Sequence, residues 1–236
     1  MEILVAVAKT GKYATSSSGD TVEVVERPGG GVSIVLADGQ SSGFGAKAIS
    51  SLVVRKVIAL LSEGVRDGAA ARAASDHLYN ERRGKVSATL NILSVDLQTS
   101  TLVITRNNPA PVLLAYGGRI HSLEADCKPV GLYRDTRPLI SEVPLETGLT
   151  VVMYTDGLVH AGSRSGEVMD VLTCLQAALE EDDPYPQTIA DFLLEHAMKL
   201  DQGRPVDDMS VVVMRTRSYE GEDIRRLTMR IPFGNL

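Results

Sequence analysis

Four aspartates, Asp20, Asp38, Asp156 and Asp207, each stand where a hydrophobic, strand-like run meets a tight glycine or polar turn. The two central ones lie in SIVLADG (33–39) and VVMYTDG (151–157), and the last comes just before MSVVVM (209–214). A strand delivers a side chain rigidly, and the Asp-Gly step lets the backbone bend so that carboxylate and carbonyl face one point. Carboxylates gathered in this way suit hard divalent cations such as Mg²⁺ and Mn²⁺, which take oxygen ligands and water and can make that water nucleophilic near neutral pH. Taken singly, each Asp-Gly step reads equally well as a plain hairpin turn.

The elements that must position these residues follow from periodicity. Strands are expected at 2–8, 21–26 and 32–37, then 86–96, 101–105, 112–116, 119–123 and 149–154, the later ones separated by the Thr99-Ser100, Asn107-Asn108-Pro109 and Gly117-Gly118 turns and reading as a meander. Apolar residues at Ile49, Leu52, Val53, Val57, Leu60 and Leu61 mark a helix over 46–62, and an Ala-rich helix is expected over 67–80. Two more are expected at 168–180 and 187–200. Such counts allow sheet packed on sheet with helices over both outer faces. Near the end, Leu227, Met229 and Ile231 alternate with polar residues, which predicts an added edge strand over 224–232, beside Ile3, Val5 and Val7.

Six segments, in order, carry a resemblance. They are SGD (18–20), LADGQSSGFGAKAIS (36–50), RNNPAPVLL (106–114), KPVGL (128–132), YTDGLVHA (154–161) and DDMSVVVM (207–214). Together they resemble the PP2C-like (PPM) serine/threonine phosphatases, and within that superfamily the bacterial SpoIIE-type branch. The resemblance implies an α+β fold, a four-layer αββα sandwich of two mostly antiparallel sheets flanked by helices, in one domain over 1–236. It implies two bound ions, Mn²⁺ or Mg²⁺. Asp38 would lie between them, with Gly39 offering its carbonyl, Asp156 and Asp207 holding one ion and Asp20 positioning the other directly or through water. Asp208 competes with Asp207 for the last position and is expected to support it.

The activity so implied is hydrolysis of phosphoserine or phosphothreonine by a metal-activated water, with Asp38, Asp156 and Asp207 as the catalytic carboxylates. The implied substrate is a phosphorylated regulatory protein such as an anti-sigma-factor antagonist. Two departures stand out. The family commonly has a His-Gly step after the Asp38-Gly39 pair, where this chain has Gln40-Ser41-Ser42-Gly43, and a phosphate-gripping arginine near the N-terminus has no counterpart beyond Lys9 and Lys12, which read as solvated charges. Two other readings stay open. One is a non-catalytic binding protein on the same fold, and the other a small-phosphoester hydrolase, which a deep enclosed pocket would favour.

Composition narrows the field further. A net charge of −6 argues against nucleic-acid binding, and the densest basic run, 81–85, has no interleaved aromatics and reads as a solvated helix end. Cys127 and Cys174 are far apart in sequence and lack the phosphate loop of a thiol phosphatase, so both are expected to be inert. No stretch approaches the roughly 20 apolar residues needed to cross a bilayer, and MEILVAVAKTGKY is a short alternating run with neither a basic region before a long apolar stretch nor a cleavage-type site, so a cytoplasmic location is expected. His77, His121 and His196 read as structural or surface residues, and His160 as close to the chemistry without taking part. Asn107 and Asn108 either cap their turn or aim amides at the site.

Overall fold

The computed structural model describes residues 1–181 and 183–232. In chain order these form β1 (Glu2–Thr10), β2 (Asp20–Glu26), β3 (Val32–Gly39), α1 (Gly43–Ser62), α2 (Asp67–Arg82), β4 (Ala88–Asp96), β5 (Thr101–Asn107), β6 (Val112–Tyr116), β7 (Arg119–Leu123), β8 (Leu139–Pro144), β9 (Thr150–Tyr154), α3 (Asp156–His160), α4 (Val171–Ala178), α5 (Pro186–Leu200) and β10 (Met209–Arg217). One sheet has the order β1-β10-β9-β6-β7 and the other β2-β3-β4-β5-β8. Every neighbouring pair is antiparallel.

Side chains alternate across each strand, and that alternation makes the layers. Ile34 and Leu36 of β3 meet Val151, Val212 and Met214 of the other sheet in a core between the sheets. Their neighbours Val35 and Ala37 face outward onto Val53 and Val57 of α1 and Ala70 and Ala74 of α2. Val211 and Val213 of β10 likewise turn away from the inter-sheet core and pack on Leu193 and Ala197 of α5. The result is the expected αββα stack, with all four signalled aspartates at strand ends.

Several local expectations are corrected. The meander breaks at Asn107-Asn108-Pro109, where the chain leaves β5 in one sheet and enters β6 in the other. Strand β8 was not anticipated, and its LISEVP sequence is mostly exposed at the edge of its sheet. Helix α4 starts three residues later than the periodicity suggests, because the Asp170 carboxylate accepts the Thr173 amide at 3.1 Å and fixes the helix start.

The extra strand expected over 224–232 is not formed. β10 ends at Arg217 opposite Glu2, the first residue of β1. Past Arg217 the chain does not return along the free edge of β1, and residues 218–232 form no strand. The segment instead leans toward the β2–β3 turn, where Arg225 donates to the Gly30 carbonyl at 2.9 Å. Leu227, Met229 and Ile231 stay 84%, 79% and 74% exposed.

Candidate metal centre

The β2–β3 hairpin sets the first pair of acids. Asp20 opens β2 and Asp38 nearly closes β3, and the antiparallel register makes them direct cross-strand partners. Asp20 is fully buried. Its Oδ2 accepts the Ser210 hydroxyl at 2.6 Å and the Thr155 hydroxyl at 3.0 Å. Its Oδ1 is also buried and has no hydrogen-bond partner. Asp38 stands directly across from Asp20, and burial first and then the Asp20 charge raise the Asp38 carboxyl. Two carboxylates that face each other with no donor between them call for a proton or a cation.

The second pair comes from the other sheet. Asp156 is the first residue of the short helix α3, directly after β9, and Asp207 stands two residues before β10. Asp207 accepts the Asp208 amide at 2.9 Å and is only half-buried. The Asp156 side chain is 44% exposed, with the His160 ring nitrogen 4.0 Å from it. His160 thus adjoins the acids at the rim.

Close main-chain packing fixes where these acids can point. A Cβ at Gly39 would collide with the Ala46 carbonyl oxygen of α1, and one at Gly157 with the Asp208 carbonyl oxygen. Only glycine allows either approach. The Asp38-Gly39 turn is therefore pressed against α1, and the Asp156-Gly157 turn against the 207–208 loop.

Asp207 and Asp208 differ sharply. Asp208 is buried, and its two oxygens accept the amides of Lys12 at 2.9 Å and Gly19 at 2.7 Å. It clamps the loop that leads into Asp20. Asp207 carries no such pair of bonds: among the described residues only its Oδ1 accepts, from the Asp208 amide.

The electrostatics record the crowding. Burial, then the charges of Asp20, Asp156 and Asp207, pushes the Asp38 carboxyl far above the usual carboxylate range. Asp20 is raised chiefly by burial, against the lowering effect of its Ser210 and Thr155 hydrogen bonds. Asp156 is raised by burial and by Asp207. Among the described residues no three or more His, Cys, Asp or Glu side chains are arranged, as they stand, to hold a metal ion. Ions held here would keep much of their water. Mg²⁺, which dehydrates reluctantly and binds through one or two carboxylates, fits that donor set.

Residues that the sequence left aside also converge. Lys9 and Lys47 both donate to the Asp20 carbonyl, at 2.6 and 2.9 Å, and Lys47 also reaches the Thr21 hydroxyl at 2.8 Å. Lys9 is therefore tied to the site rather than simply solvated. Burial and Lys47 together hold its ammonium below the usual lysine range. Thr155 and Ser210 sit inside the motif segments, but nothing in their local pattern marks them as partners of Asp20. At the position after Gly39, Gln40 turns away and its Oε1 accepts the Ser87 amide at 2.9 Å.

Asn108 caps its turn by accepting the Ala110 amide at 2.9 Å and also donates to the Tyr154 carbonyl at 3.1 Å, bracing the strand that leads to Asp156. Asn107 donates to the Lys128 carbonyl at 2.9 Å. Cys127 and Cys174 are free and half-buried, and burial raises the Cys174 thiol. His121 stacks on Tyr116 and His196 on Phe192. Among the described residues, no helix is long and apolar enough to cross a membrane.

Two five-stranded antiparallel sheets between helices, with acids at the strand ends, define the PP2C phosphatase fold. The PP2C phosphatase domain of SpoIIE from Bacillus subtilis, solved with a fragment of its regulatory domain, superposes with a TM-score of 0.80 at 21% identity, over 93% of this chain and 64% of that one. The catalytic domain of the serine/threonine phosphatase PstP in complex with two manganese ions superposes with a TM-score of 0.69 at 18% identity, over 92% of this chain and 99% of that one. The family model for Stage II sporulation protein E (SpoIIE) matches residues 28–217, and the chain belongs to that family. Stage II sporulation protein E of Bacillus subtilis (strain 168) is 24% identical over 199 residues, covering 84% of this chain and 24% of that protein. The chain thus spans about a quarter of that relative's length.

Proposed function

We propose that the chain is a metal-dependent protein serine/threonine phosphatase acting on a phosphorylated regulatory protein. The observation that carries this reading is the buried, donor-free Oδ1 of Asp20 beside the Asp38 carboxyl. Two ions, Mn²⁺ or Mg²⁺, would be held by Asp38, the Gly39 carbonyl, Asp156 and Asp207, with Asp20 at the inner side and Asp208 supporting the loop from behind. The PstP structure with two manganese ions supports that number. When bound, such ions lower the pKa of a coordinated water and neutralise charge on a phosphoryl group in transfer.

The chain's own residues supply position. Asp38 lies at the centre of the acids, its turn pinned by Gly39 against α1. Asp156 and Asp207 sit at the rim, open to an arriving phosphate. Retention of all four acids speaks against a purely non-catalytic binding protein.

The surroundings favour a protein substrate. A shallow groove of about 620 Å³ runs along α1 from Lys47 past Leu52 to Arg55 and Lys56, with Phe44 at its rim. Its basic lining and apolar floor suit a segment of a phosphoprotein, whereas a small phosphoester would call for enclosure. Within the SpoIIE-type branch the substrate we propose is a phosphorylated anti-sigma-factor antagonist, and the place of action the cytoplasm.

The test is hydrolysis of an aryl phosphate by the full chain. Activity should require added Mn²⁺ or Mg²⁺, vanish on chelation and survive alkylation of Cys127 and Cys174. Full activity in excess chelator would overturn the reading.

A further inference from the structure

We infer that Thr155 and Ser210 are positioning residues that hold Asp20 in the one orientation presenting Oδ1 to a cation shared with Asp38, an inference that rests on the metal reading above. The two residues come from the sheet opposite Asp20: Thr155 follows β9 and Ser210 is the second residue of β10. They are locked to each other. The Thr155 amide donates to the Ser210 carbonyl at 3.1 Å, and the Ser210 amide donates to the Thr155 hydroxyl oxygen at 3.0 Å. All three residues are 0% exposed.

Hydrogen bookkeeping then fixes the direction of each bond. The Thr155 oxygen already accepts from the Ser210 amide, which frees its own proton to point at Asp20 Oδ2, 3.0 Å away. The Ser210 hydroxyl donates to the same oxygen at 2.6 Å. Oδ2 now accepts two O–H groups, which occupies its in-plane lone pairs, and no proton can also sit there. On the main-chain side, Lys9 and Lys47 hold the Asp20 carbonyl. Every acceptor of Asp20 is assigned except Oδ1, which is buried and unpartnered, with Asp38 directly across the strand pair.

A purely structural role is the competing account, because the same bonds join the two sheets. The two roles differ in what they move. A sheet-joining bond lowers thermal stability and leaves metal affinity unchanged, whereas an orienting bond changes affinity. Groups that orient a metal ligand from behind typically change affinity by about 10–100-fold when removed.

The experiment is a Mn²⁺ titration of the full chain, following free Mn²⁺ by electron paramagnetic resonance, with thermal unfolding of the metal-free protein alongside. Ser210→Ala and Thr155→Val delete one hydroxyl each, and Ser210→Thr and Thr155→Ser retain it. The expected result is a dissociation constant raised about tenfold or more in both deletions and near wild type in the hydroxyl-retaining variants. A rise smaller than about tenfold in both deletions, with wild-type protein binding Mn²⁺ normally, overturns the inference and leaves the metal reading standing. Wild-type protein that takes up no Mn²⁺ removes the metal reading and this inference with it. Should Ser210→Ala fail to fold, the near-isosteric Thr155→Val decides by the same criterion.

Discussion

The inner and outer parts of the acidic cluster are built on opposite plans. Asp20 and Asp208 lie deep, and of their four carboxylate oxygens three accept from hydroxyls or backbone amides. Asp38, Asp156 and Asp207 lie nearer solvent, are crowded by one another, and have few donors of their own. The protein thus immobilises the acids that define the frame and leaves more open the three proposed to exchange water or substrate. An anion with its hydrogen bonds satisfied gains less from a cation than one left without them.

The sharpest way to break that contrast is to remove Asp38. Asp38→Ala should abolish metal-dependent hydrolysis and weaken Mn²⁺ binding, while the metal-free protein keeps its fold and melts at a higher temperature, since a like-charged neighbour has gone. Turnover retained within about tenfold, or roughly 1.4 kcal/mol of barrier, would reduce Asp38 to a turn residue.

A smaller effect separates Asp207 from Asp208. Asp208→Asn offers one acceptor where two amides must be met, so it should cost about 1–3 kcal/mol of stability. Its Mn²⁺ requirement should barely move. Asp207→Asn should do the reverse, raising the Mn²⁺ concentration for half-maximal activity with little change in melting temperature. If Asp208→Asn shifts the Mn²⁺ requirement more than Asp207→Asn does, the direct ligand is Asp208.

The contrast also predicts a pH dependence. Asp38, Asp20 and Asp156 all have raised carboxyl pKa values in the fold, caused first by burial. A raised carboxyl contributes stability that is fully present below its unfolded value of about 4 and is lost as pH rises through the folded value. The melting temperature of the metal-free protein should therefore fall from about pH 4 upward through neutrality, and saturating Mn²⁺ should flatten the slope. A flat metal-free profile would show that the acids do not meet.

How much of this was legible beforehand depended on sequence distance. Asp20 and Asp38 meet through one hairpin, and the hydrophobic run ending in Asp-Gly announced both the strand and the turn. The α1 stripe and the Ala-rich face of α2 were readable for the same reason, since each helix writes its buried side within a few turns. The tail shows the limit of such patterns. Residues 224–232 alternate as a strand should, but alternation does not supply a pairing edge, and Arg225 holds the segment at the Gly30 carbonyl by the β2–β3 turn instead.

The amino-acid sequence by itself thus determined which residue types stand at strand ends, which helices bury which faces, and the family to which the motifs belong. Only the tertiary structure decided which oxygen of each acid is free. Thr155 lies 135 residues from Asp20 and Ser210 lies 190 residues away, and Lys12 meets Asp208 across 196. Periodicity reports burial over a few neighbouring residues. The partner of a buried oxygen is set by the packing of two sheets, where hydrogen-bond geometry is resolved to tenths of an ångström and no local pattern records it.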